Sequence, residues 1–556
     1  MKKIMSQLYS SLSQGSPFNA DTTVNDEKYK INGTVTLFLS VSDNKDRAYV
    51  ARGKGTTVPG AIHNAIKEFW DRKPESLTPQ NTKLDIVTKI LPWNKNGEAS
   101  FSPEKTIPAF NWGVDGLAFD PDLEKDAFTP QEVVAYDLIE DKKLNKKYID
   151  AALDYKLTPY NSSNIQELYK FRTTTWYIDG KNMFKLHRGH RVFDDLKKQD
   201  VWNAIQLTKE NYFKNVVDDQ GKFIYSYFPS HDTMEKKYNL LRHAGTIFSM
   251  LQTYELMPDD TLMNHIKKAL EYLQGKSSFD KNNKGLRVLV ERDTVKLGAN
   301  ALAIIVMTKY TEVTGDRKYM SVMQELADWI KEVQKEDGSF SVHKQKHSTG
   351  HVSDFISGFY PGQTILALCK LYSLDGNSKW LDTAERAGEY LITVKNKDST
   401  KSTVHRDHWL LYGLNALYRV REKDMYLNHM FLVSESIMDI QYSEEYSKKE
   451  WIGGISGAKK IPKSVPTACL TEGLSQVYEL ATEYGYEKEA EKLRRSIILG
   501  TRFLLQMQLR KESAMHYKRK SLCFGAFHNS FKDINLRNDF TQHNISACIA
   551  CYQLLD

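Results

Sequence analysis

The chain has 556 residues, of which 41% are hydrophobic and 11% aromatic, and its formal net charge is +7. This size allows more than one domain with a buried core, and the mild positive charge does not by itself indicate nucleic-acid binding. No apolar run reaches the roughly 18 residues of a membrane span, and the N-terminus lacks the apolar core of a secretion signal. Five cysteines, an odd number, fit core thiols in a reducing compartment. We therefore expect a cytoplasmic protein.

The first 155 residues are predicted to form a tail and a small α+β domain. Residues 1–28 are polar and predict a loose tail. In residues 29–155, alternation predicts a strand pair across a polar turn at 43–46 and two later strands. Two helices are also predicted, one with Pro59 near its start and one capped by Thr129 with Pro130 at its first position.

This order of elements resembles that of AMMECR-like domains. The matching pieces are the strand pair, the helix at 59–70, GVDGLAFD (113–120) and AFTPQEVVA (127–135). The family's cysteine-containing glycine turn is replaced here by VARGKG (50–55), so no role of that cysteine carries over. The basic glycine segment has two interpretations: an anion site built from backbone N–H groups, or a hairpin turn with solvated charges.

Residues 156–200 are predicted to connect this domain to the rest of the chain. They include RTTTWYIDGKNMFKLHRGHR (172–191), which predicts a hairpin turning at Asp179 and Gly180.

Six ungapped blocks of twelve residues, each ending in tyrosine, dominate residues 201–556. They are HAGTIFSMLQTY (243–254), ANALAIIVMTKY (299–310), PGQTILALCKLY (361–372), DHWLLYGLNALY (407–418), TACLTEGLSQVY (467–478) and TQHNISACIACY (541–552). Five of the six have a small residue at the seventh place, with Ile305 as the exception. The blocks are apolar almost all round, which is typical of helices buried on every side.

Amphipathic helices are predicted before and between these blocks. One example is DTLMNHIKKALEYL (260–273), which puts its leucines and Ile266 on one stripe. Six buried helices that alternate with six amphipathic helices can close into an inner and an outer ring. The predicted fold is thus a small α+β domain followed by an all-α (α/α)6 toroid over 201–556; an open solenoid is the alternative.

The layout resembles the six-hairpin toroids of sugar-processing enzymes, namely N-acylglucosamine 2-epimerases, unsaturated uronyl hydrolases and glucuronyl C5-epimerases. The turns KEDGSF (335–340) and DDQGKF (218–223) are typical of such toroids. They also occur in lanthionine-cyclase-like and terpene-cyclase-like toroids, so the architecture alone does not name a reaction.

The N-terminal ends of the six buried helices are predicted to meet on one face and form a pocket. Helix N-termini favour anions, and four of the six entrances carry a basic residue: Arg242, Lys296, Arg406 and Arg537. We therefore expect an anionic small molecule or saccharide as the ligand. No P-loop, dinucleotide glycine fingerprint or nucleophile elbow is present, so no cofactor is predicted.

Imidazoles and carboxylates near these entrances are candidates for proton transfer. The predicted catalytic residues are His243, His543, Glu472 and Asp407. The predicted substrate-binding residues are Arg242, Asn300, Tyr360, His408, Trp409, Arg537, Asp539 and Gln542. Asp407 and Asp539 also suit N-caps, and Glu472, inside an apolar block, must be paired or hydrogen-bonded.

Two reactions fit these candidates. In an epimerase, His243 and His543 would exchange the proton, Arg242 and Arg537 would hold the anionic group, and Glu472 would orient a histidine. In a glycoside hydrolase, Glu472 or Asp407 would be the general acid. Tyr360, Trp409 and Trp451 are candidates for stacking on a sugar ring, or for core packing.

Three alternatives stay open at this point. The first is a binding or scaffold protein for a polymer or peptide, with a protein partner recruited by the N-terminal domain. The second is a lanthionine-cyclase-like peptide-modifying enzyme, although that family's cysteine motifs are missing. The third is zinc held by Cys523 and His528 with a residue such as His543; our prediction is that no metal is bound.

Overall fold

The computed structural model describes residues 1–19, 26–94, 96–156, 161–180, 182–446, 448–456 and 460–555. The N-terminal part contains four helices: α1 (Lys2–Gln14), α2 (Val58–Arg72), α3 (Pro130–Ala135) and α4 (Lys146–Tyr155). Its strands are β1 (Lys30–Ile31), β2 (Thr34–Ser42), β3 (Tyr49–Gly55), β4 (Asn81–Pro92), β5 (Asp115–Ala118), β6 (Ala127–Phe128), β7 (Ile139–Glu140), β8 (Lys143–Leu144), β9 (Tyr169–Ile178) and β10 (Met183–Leu186).

An eight-stranded sheet organises this part, with the order β1-β2-β4-β9-β5-β6, β3 paired to β2 and β10 paired to β9. The predicted strand pair, the helix at Pro59 and the helix capped by Thr129 are confirmed. The segment 50–55 belongs to β3, and a Cβ on Gly53 would lie 1.9 Å from the carbonyl oxygen of Ala61 in α2. The glycine therefore allows strand and helix to touch, and the segment is not an anion-binding turn.

Two expectations for this part were wrong. Residues 2–14 form a helix rather than a loose tail, because Ile4, Met5, Leu8 and Leu12 give it an apolar face that is buried in the domain core. The segment expected to be a connector contributes β9, which lies between β4 and β5 inside the sheet. The hairpin turn at Asp179 and Gly180 is as predicted.

The remaining chain is mainly helical. Six helices contain the tyrosine-ended blocks: α7 (Leu240–Leu256), α9 (Leu297–Thr314), α11 (Tyr360–Asp375), α13 (His408–Tyr418), α15 (Ser464–Glu483) and α18 (Asn538–Leu554). The amphipathic helices are α5 (Lys198–Leu207), which continues through a π-helical turn (Thr208–Tyr212) into α6 (Phe213–Asn215), then α8 (Asp260–Gln274), α10 (Met320–Glu332), α12 (Ser378–Tyr390), α14 (Asp424–Met438) and α16 (Glu487–Gln506).

Each block helix packs against the next, and α18 returns to α7, so the six close an inner ring. Each amphipathic helix packs on one of them from outside: α5 on α18, α8 on α7, α10 on α9, α12 on α11, α14 on α13 and α16 on α15. The alternation predicted from the blocks thus appears as two concentric layers of helices.

Short elements connect these helices. They are α17 (Lys520–Cys523), the three-stranded sheet of β11 (Ser226–Phe228), β12 (Thr233–Met234) and β17 (Leu536–Arg537), and the four-stranded sheet of β13 (Ser277–Phe279), β14 (Arg287–Glu291), β15 (Thr294–Lys296) and β16 (Lys344–Lys346). In the two turns noted in the sequence, Gly221 and Gly338 have positive φ and lie against carbonyl groups of α8 and α12. A side chain at either position would push neighbouring outer helices apart.

The N-terminal sheet docks on the loop between α16 and α18. The backbone N–H of Ala48 donates to the carbonyl oxygen of Met515 at 2.8 Å. Lys83, fully buried, donates from Nζ to Nε2 of His516 at 2.9 Å. Because buried polar groups on both sides pair with each other, the contact between the two parts is specific.

Candidate functional site

A buried pair of titratable side chains joins two neighbouring inner helices. Nδ1 of His543 on α18 donates to Oε1 of Glu472 on α15 at 2.9 Å, and the other carboxylate oxygen accepts from the Tyr412 hydroxyl of α13 at 3.5 Å. The side chain of Glu472 is only 2% exposed and that of His543 is 12% exposed. The prediction that Glu472 is paired is therefore met by a histidine rather than by a lysine or arginine.

Two more side chains complete what we call the central cluster: His408, Tyr412, Cys469, Glu472 and His543. The rings of His408 and His543 meet edge to face with centroids 5.5 Å apart. One ligand-type atom each of His408, Cys469 and His543 lies within 4.8 Å of the other two. Three inner helices thus bring two imidazoles, a thiol, a carboxyl and a phenol together.

The repeat explains how these residues meet. Cys469 and His543 both occupy the third place of their blocks, whereas Tyr412 and Glu472 both occupy the sixth. Places three and six lie on one face of a helix, almost one turn apart. That face points to the centre of the ring, since Tyr412 also lines a cavity bounded by all six inner helices.

Close packing of the inner helices holds the cluster in place. A Cβ on Gly473 would lie 3.1 Å from Cβ of His408, and one on Gly245 would lie 2.1 Å from the side-chain amide of Gln542. Gln542 lies beside His543, with their Nε2 atoms 3.4 Å apart. The small residues of the blocks thus let neighbouring helices carry polar side chains between them.

Burial and pairing set the charge states in the cluster. Burial lowers the pKa of His543, but Cys469 and Glu472 outweigh it and raise that pKa well above its usual value. Burial raises the pKa of Glu472, against the opposing effect of His543, and burial also raises the pKa of the Cys469 thiol. Burial lowers the pKa of His408 well below its usual value. The two histidines therefore differ: the surroundings favour the protonated form of His543 and the neutral form of His408.

A second group of charges lies at the start of α7 and α18. Asp539 accepts from Nε of Arg242 at 2.8 Å and from Nε and Nη2 of Arg537 at 2.5 and 2.9 Å. Arg242 also donates to the hydroxyl of Tyr225. Both arginine side chains are about one third exposed. Two guanidinium groups share one carboxylate, so the group keeps a net positive charge and favours an anion.

Asp407 occupies the N-cap of α13. Its Oδ1 accepts from the backbone N–H of Trp409 at 2.9 Å. Burial raises its pKa to about 8, against the effect of hydrogen bonds from Leu410 and Trp409. The contacts of Asp407 are therefore those of an N-cap, which is one of the two interpretations that the sequence left open.

The structure does not bring His243 or Asn300 into the cluster. Nε2 of His243 donates to the carbonyl oxygen of Ala269 in the outer helix α8 at 2.9 Å, and its Nδ1 accepts from Tyr238 at 2.6 Å. Asn300 binds the backbone of Leu289 and Lys296. Both side chains are fully buried and join the inner ring to elements outside it. The predicted pairing of His243 with His543 across the ring is therefore not present.

The predicted aromatic residues are divided among three places. Trp409 is buried and packs on His408 with ring centroids 5.1 Å apart. Tyr360 stacks on His343 at 6.4 Å. Trp451 stacks on Tyr446, away from the inner ring. Only Trp409 adjoins the central cluster.

The zinc alternative based on Cys523 and His528 has no geometric support. Nδ1 of His528 lies 3.0 Å from the carbonyl oxygen of Ser530. Within the described ranges, the group His408, Cys469 and His543 is the one in which three such side chains converge. His543 thus lies beside His408 and Cys469 rather than beside Cys523 and His528.

Sequence reasoning missed Tyr412, Cys469 and Phe359. Cys469 was interpreted as a core thiol, and Tyr412 as part of an apolar block. Phe359, just before α11, is 43% exposed and lies 6.3 Å from His408 and 5.1 Å from His405 between ring centroids. The sequence feature that could have identified Phe359 is its position, as an aromatic residue in the polar loop before a buried helix.

The ring also contains a cavity of about 310 Å³ beyond Tyr412, towards the C-terminal ends of the inner helices. It was not predicted, since the pocket was expected at the N-terminal ends. Its lining includes Lys309, Lys370 and Arg419 together with Glu255, Glu312 and Glu479. Salt bridges connect most of these charges, such as Lys370 with Glu312 at 3.1 Å.

Comparison with known proteins gives one family match and several structural similarities. Residues 263–497 match the family described as Ulvan lyase N-terminal domain. No curated protein sequence matches significantly. No helix of the described chain is both long and apolar enough to cross a membrane.

Solved structures similar to this chain include three sugar-processing enzymes. A D-mannose isomerase has 13% identity and a TM-score of 0.49, covering 65% of this chain and 98% of its own. Cellobiose 2-epimerase from Bacillus thermoamylovorans B4167 has 12% identity and a TM-score of 0.49, with 64% and 98% covered. An unsaturated glucuronyl hydrolase specific for heparin has 14% identity and a TM-score of 0.43, with 64% and 97% covered. The AMMECR-like resemblance stays a prediction.

Proposed function

We propose that the protein is a carbohydrate-active enzyme that acts on an acidic saccharide in the centre of an (α/α)6 toroid, by general acid/base chemistry. The observation that carries the proposal is the buried contact of Glu472 with His543. A carboxylate that fixes one imidazole nitrogen directs the other towards a substrate, which is the arrangement general acid/base catalysis needs.

The charges around the cluster support an acidic substrate. Arg242 and Arg537 share Asp539 and keep a net positive charge at the start of two inner helices. The N-termini of α7 and α18 add their helix dipoles at the same place. A carboxylate of the saccharide would bind there while the neighbouring carbon faces the cluster.

The family match supports the same class of chemistry. Its residues, 263–497, include His408, Tyr412, Cys469 and Glu472, and its name is that of a lyase domain. A lyase and an epimerase share a first step, the removal of a proton from a carbon next to a carbonyl or carboxylate group. The central cluster would organise that step; a hydrolase would instead use its acid form to protonate the glycosidic oxygen.

The experiment is an activity screen with three readouts on acidic and neutral saccharides. Ultraviolet absorbance detects an unsaturated lyase product, new reducing ends detect hydrolysis, and solvent deuterium in recovered sugar detects epimerisation. We expect turnover of an acidic saccharide that falls about 10²- to 10⁴-fold in Glu472→Gln. Glu479→Gln, on the same helix but outside the cluster, is the control.

Two results would count against the proposal. One is equal loss of activity in both variants with unchanged folding. The other is tight saccharide or peptide binding without turnover by any readout, which would favour the binding-protein alternative.

A further inference from the structure

The central cluster contains a set of side chains typical of a transition-metal site. Ligand-type atoms of His408, Cys469 and His543 lie within 4.8 Å of one another. In a tetrahedral zinc site, Zn–S of about 2.3 Å and Zn–N of about 2.0 Å place ligand atoms roughly 3.3–3.8 Å apart. Small side-chain rotations would therefore bring all three onto one ion.

His408 provides a second and independent observation. It is 6% exposed, and its Nε2 has no hydrogen-bond partner within the described part of the chain. A buried polar atom without a partner is costly. An imidazole that lies beside a thiol and a second imidazole, and that has a ring nitrogen without a partner, has the chemistry of a metal ligand.

Glu472 provides the support that such ligands usually have. Histidines that bind metal commonly donate their other ring N–H to a carboxylate, which fixes the ring and increases its basicity. Nδ1 of His543 is bonded in this way to Oε1 of Glu472 at 2.9 Å. Nε2 is then the ring nitrogen available to a metal, and binding would displace its long contact of 3.4 Å with Nε2 of Gln542. Tyr412 in turn donates to Glu472.

We propose that His408, Cys469 and His543 bind one zinc ion, with the fourth position open to water or to an oxygen of the substrate. A thiolate and two imidazoles favour zinc over magnesium or calcium. Binding requires the thiol of Cys469 to release its proton to solvent, so uptake of zinc is accompanied by proton release.

This inference deepens the proposed function and rests on it for its role in catalysis. With zinc bound, His543 would be a ligand, and a zinc-bound hydroxide would replace its imidazole as the proton acceptor, since zinc lowers the pKa of bound water to about 7. Glu472 keeps its bond to His543 and acts as a positioning residue. The arginine pair still holds the acidic group.

The test measures metal binding directly on the full chain. Protein stripped with a chelator is titrated with zinc by calorimetry in two buffers of different ionisation enthalpy, and its metal content is then measured. We expect one zinc per chain with proton release. Cobalt added to wild type should give visible absorption of a tetrahedral ion and a near-ultraviolet thiolate band, which requires no variant.

Variants then locate the site. Cys469→Ser and His408→Asn should each weaken zinc binding at least about 10-fold, and Glu472→Gln about 10- to 100-fold. Cys523→Ser should leave it unchanged, since that buried cysteine lies outside the cluster. Folded wild type that takes up no zinc, or a cobalt spectrum without a thiolate band, would overturn the proposal.

The two proposals fail separately. If the stripped protein binds no zinc and still turns over an acidic saccharide at the full rate, the zinc site is contradicted and the proposed enzyme function is supported. If the protein binds one zinc per chain through Cys469 but turns over no saccharide, the metal site is supported and the carbohydrate function is contradicted.

Discussion

Nδ1 of His543 and Oε1 of Glu472 lie 2.9 Å apart although 71 residues separate them in the chain. They meet because α15 and α18 are neighbours in the inner ring, and because each residue has the place in its block that faces the centre. A shift of either helix by one residue would turn that side chain by about 100° and break the contact. The chemistry of the site thus depends on the register of the ring.

The arginine pair gives the first prediction. Arg537→Gln should raise KM for an acidic saccharide about 10-fold, since a hydrogen bond to a charged group contributes about 1.5–3 kcal/mol, with less change in kcat. Arg406→Gln is the control, because Nε of Arg406 is bonded to the carbonyl oxygen of Ser436. Steady-state kinetics at low and high salt measures both variants. An equal effect on neutral saccharides would contradict the assigned role.

The architecture of the ring could be predicted from the sequence, but not the direction of each side chain. Helix type followed from periodicity, because apolar stripes and all-apolar blocks are local properties. Glu472 could be identified because a carboxylate inside an apolar block needs a partner. Its partner could not be identified, since that depends on which inner helices are neighbours.

His243 shows where the sequence argument failed. Both histidines lie near the start of their blocks, but His243 occupies the first place and His543 the third. Two residues correspond to about 200° around a helix, so one ring faces α8 and the other faces the centre. The polarity of an entrance therefore does not show which side chains enter the site. Likewise α1 was missed because serines and glutamines dilute its apolar stripe.

The contacts of His243 give the second prediction. Burial lowers its pKa to about 4, so between that value and about 6.5 the unfolded state binds a proton that the folded state does not. Stability is therefore lost as pH falls through this window, by up to about 1.4 kcal/mol per pH unit for one histidine. His243→Gln should reduce the slope of unfolding free energy against pH by about that amount.

Denaturant unfolding between pH 4.5 and 7, roughly the window expected for a buried histidine, measures this slope. Thr246→Val is the control, because it removes a buried hydrogen bond of the same helix to the carbonyl oxygen of Arg242 without removing a titrating group. If both variants lose stability but keep the wild-type slope, the histidine is not the cause of the acid sensitivity.

The third prediction concerns the contact between α13 and α15. A Cβ at residue 473 would lie 2.8 Å from Leu411 and 3.1 Å from His408, so Gly473→Ala should destabilise the fold by about 1–3 kcal/mol. Gly275→Ala, where the nearest atom is 3.4 Å away, should be neutral or stabilising by about 0.4–1 kcal/mol. Thermal unfolding of both variants tests the contrast. Equal stability would mean that the two inner helices are less closely packed than described.

The fourth prediction concerns Phe359, which is 43% exposed beside His405 and His408. An exposed aromatic ring next to a polar cluster is a surface on which a sugar ring can stack. Phe359→Ala should raise KM for the saccharide about 3- to 10-fold and leave kcat nearly unchanged, because the ring does not contact the Glu472–His543 pair. Phe279→Ala, at an exposed phenylalanine in β13, should change neither constant. Both variants should have a free energy of unfolding within about 0.5 kcal/mol of wild type, as is usual for exposed substitutions. A lower kcat with unchanged KM in Phe359→Ala would contradict the prediction, because it would assign Phe359 to the chemical step rather than to binding.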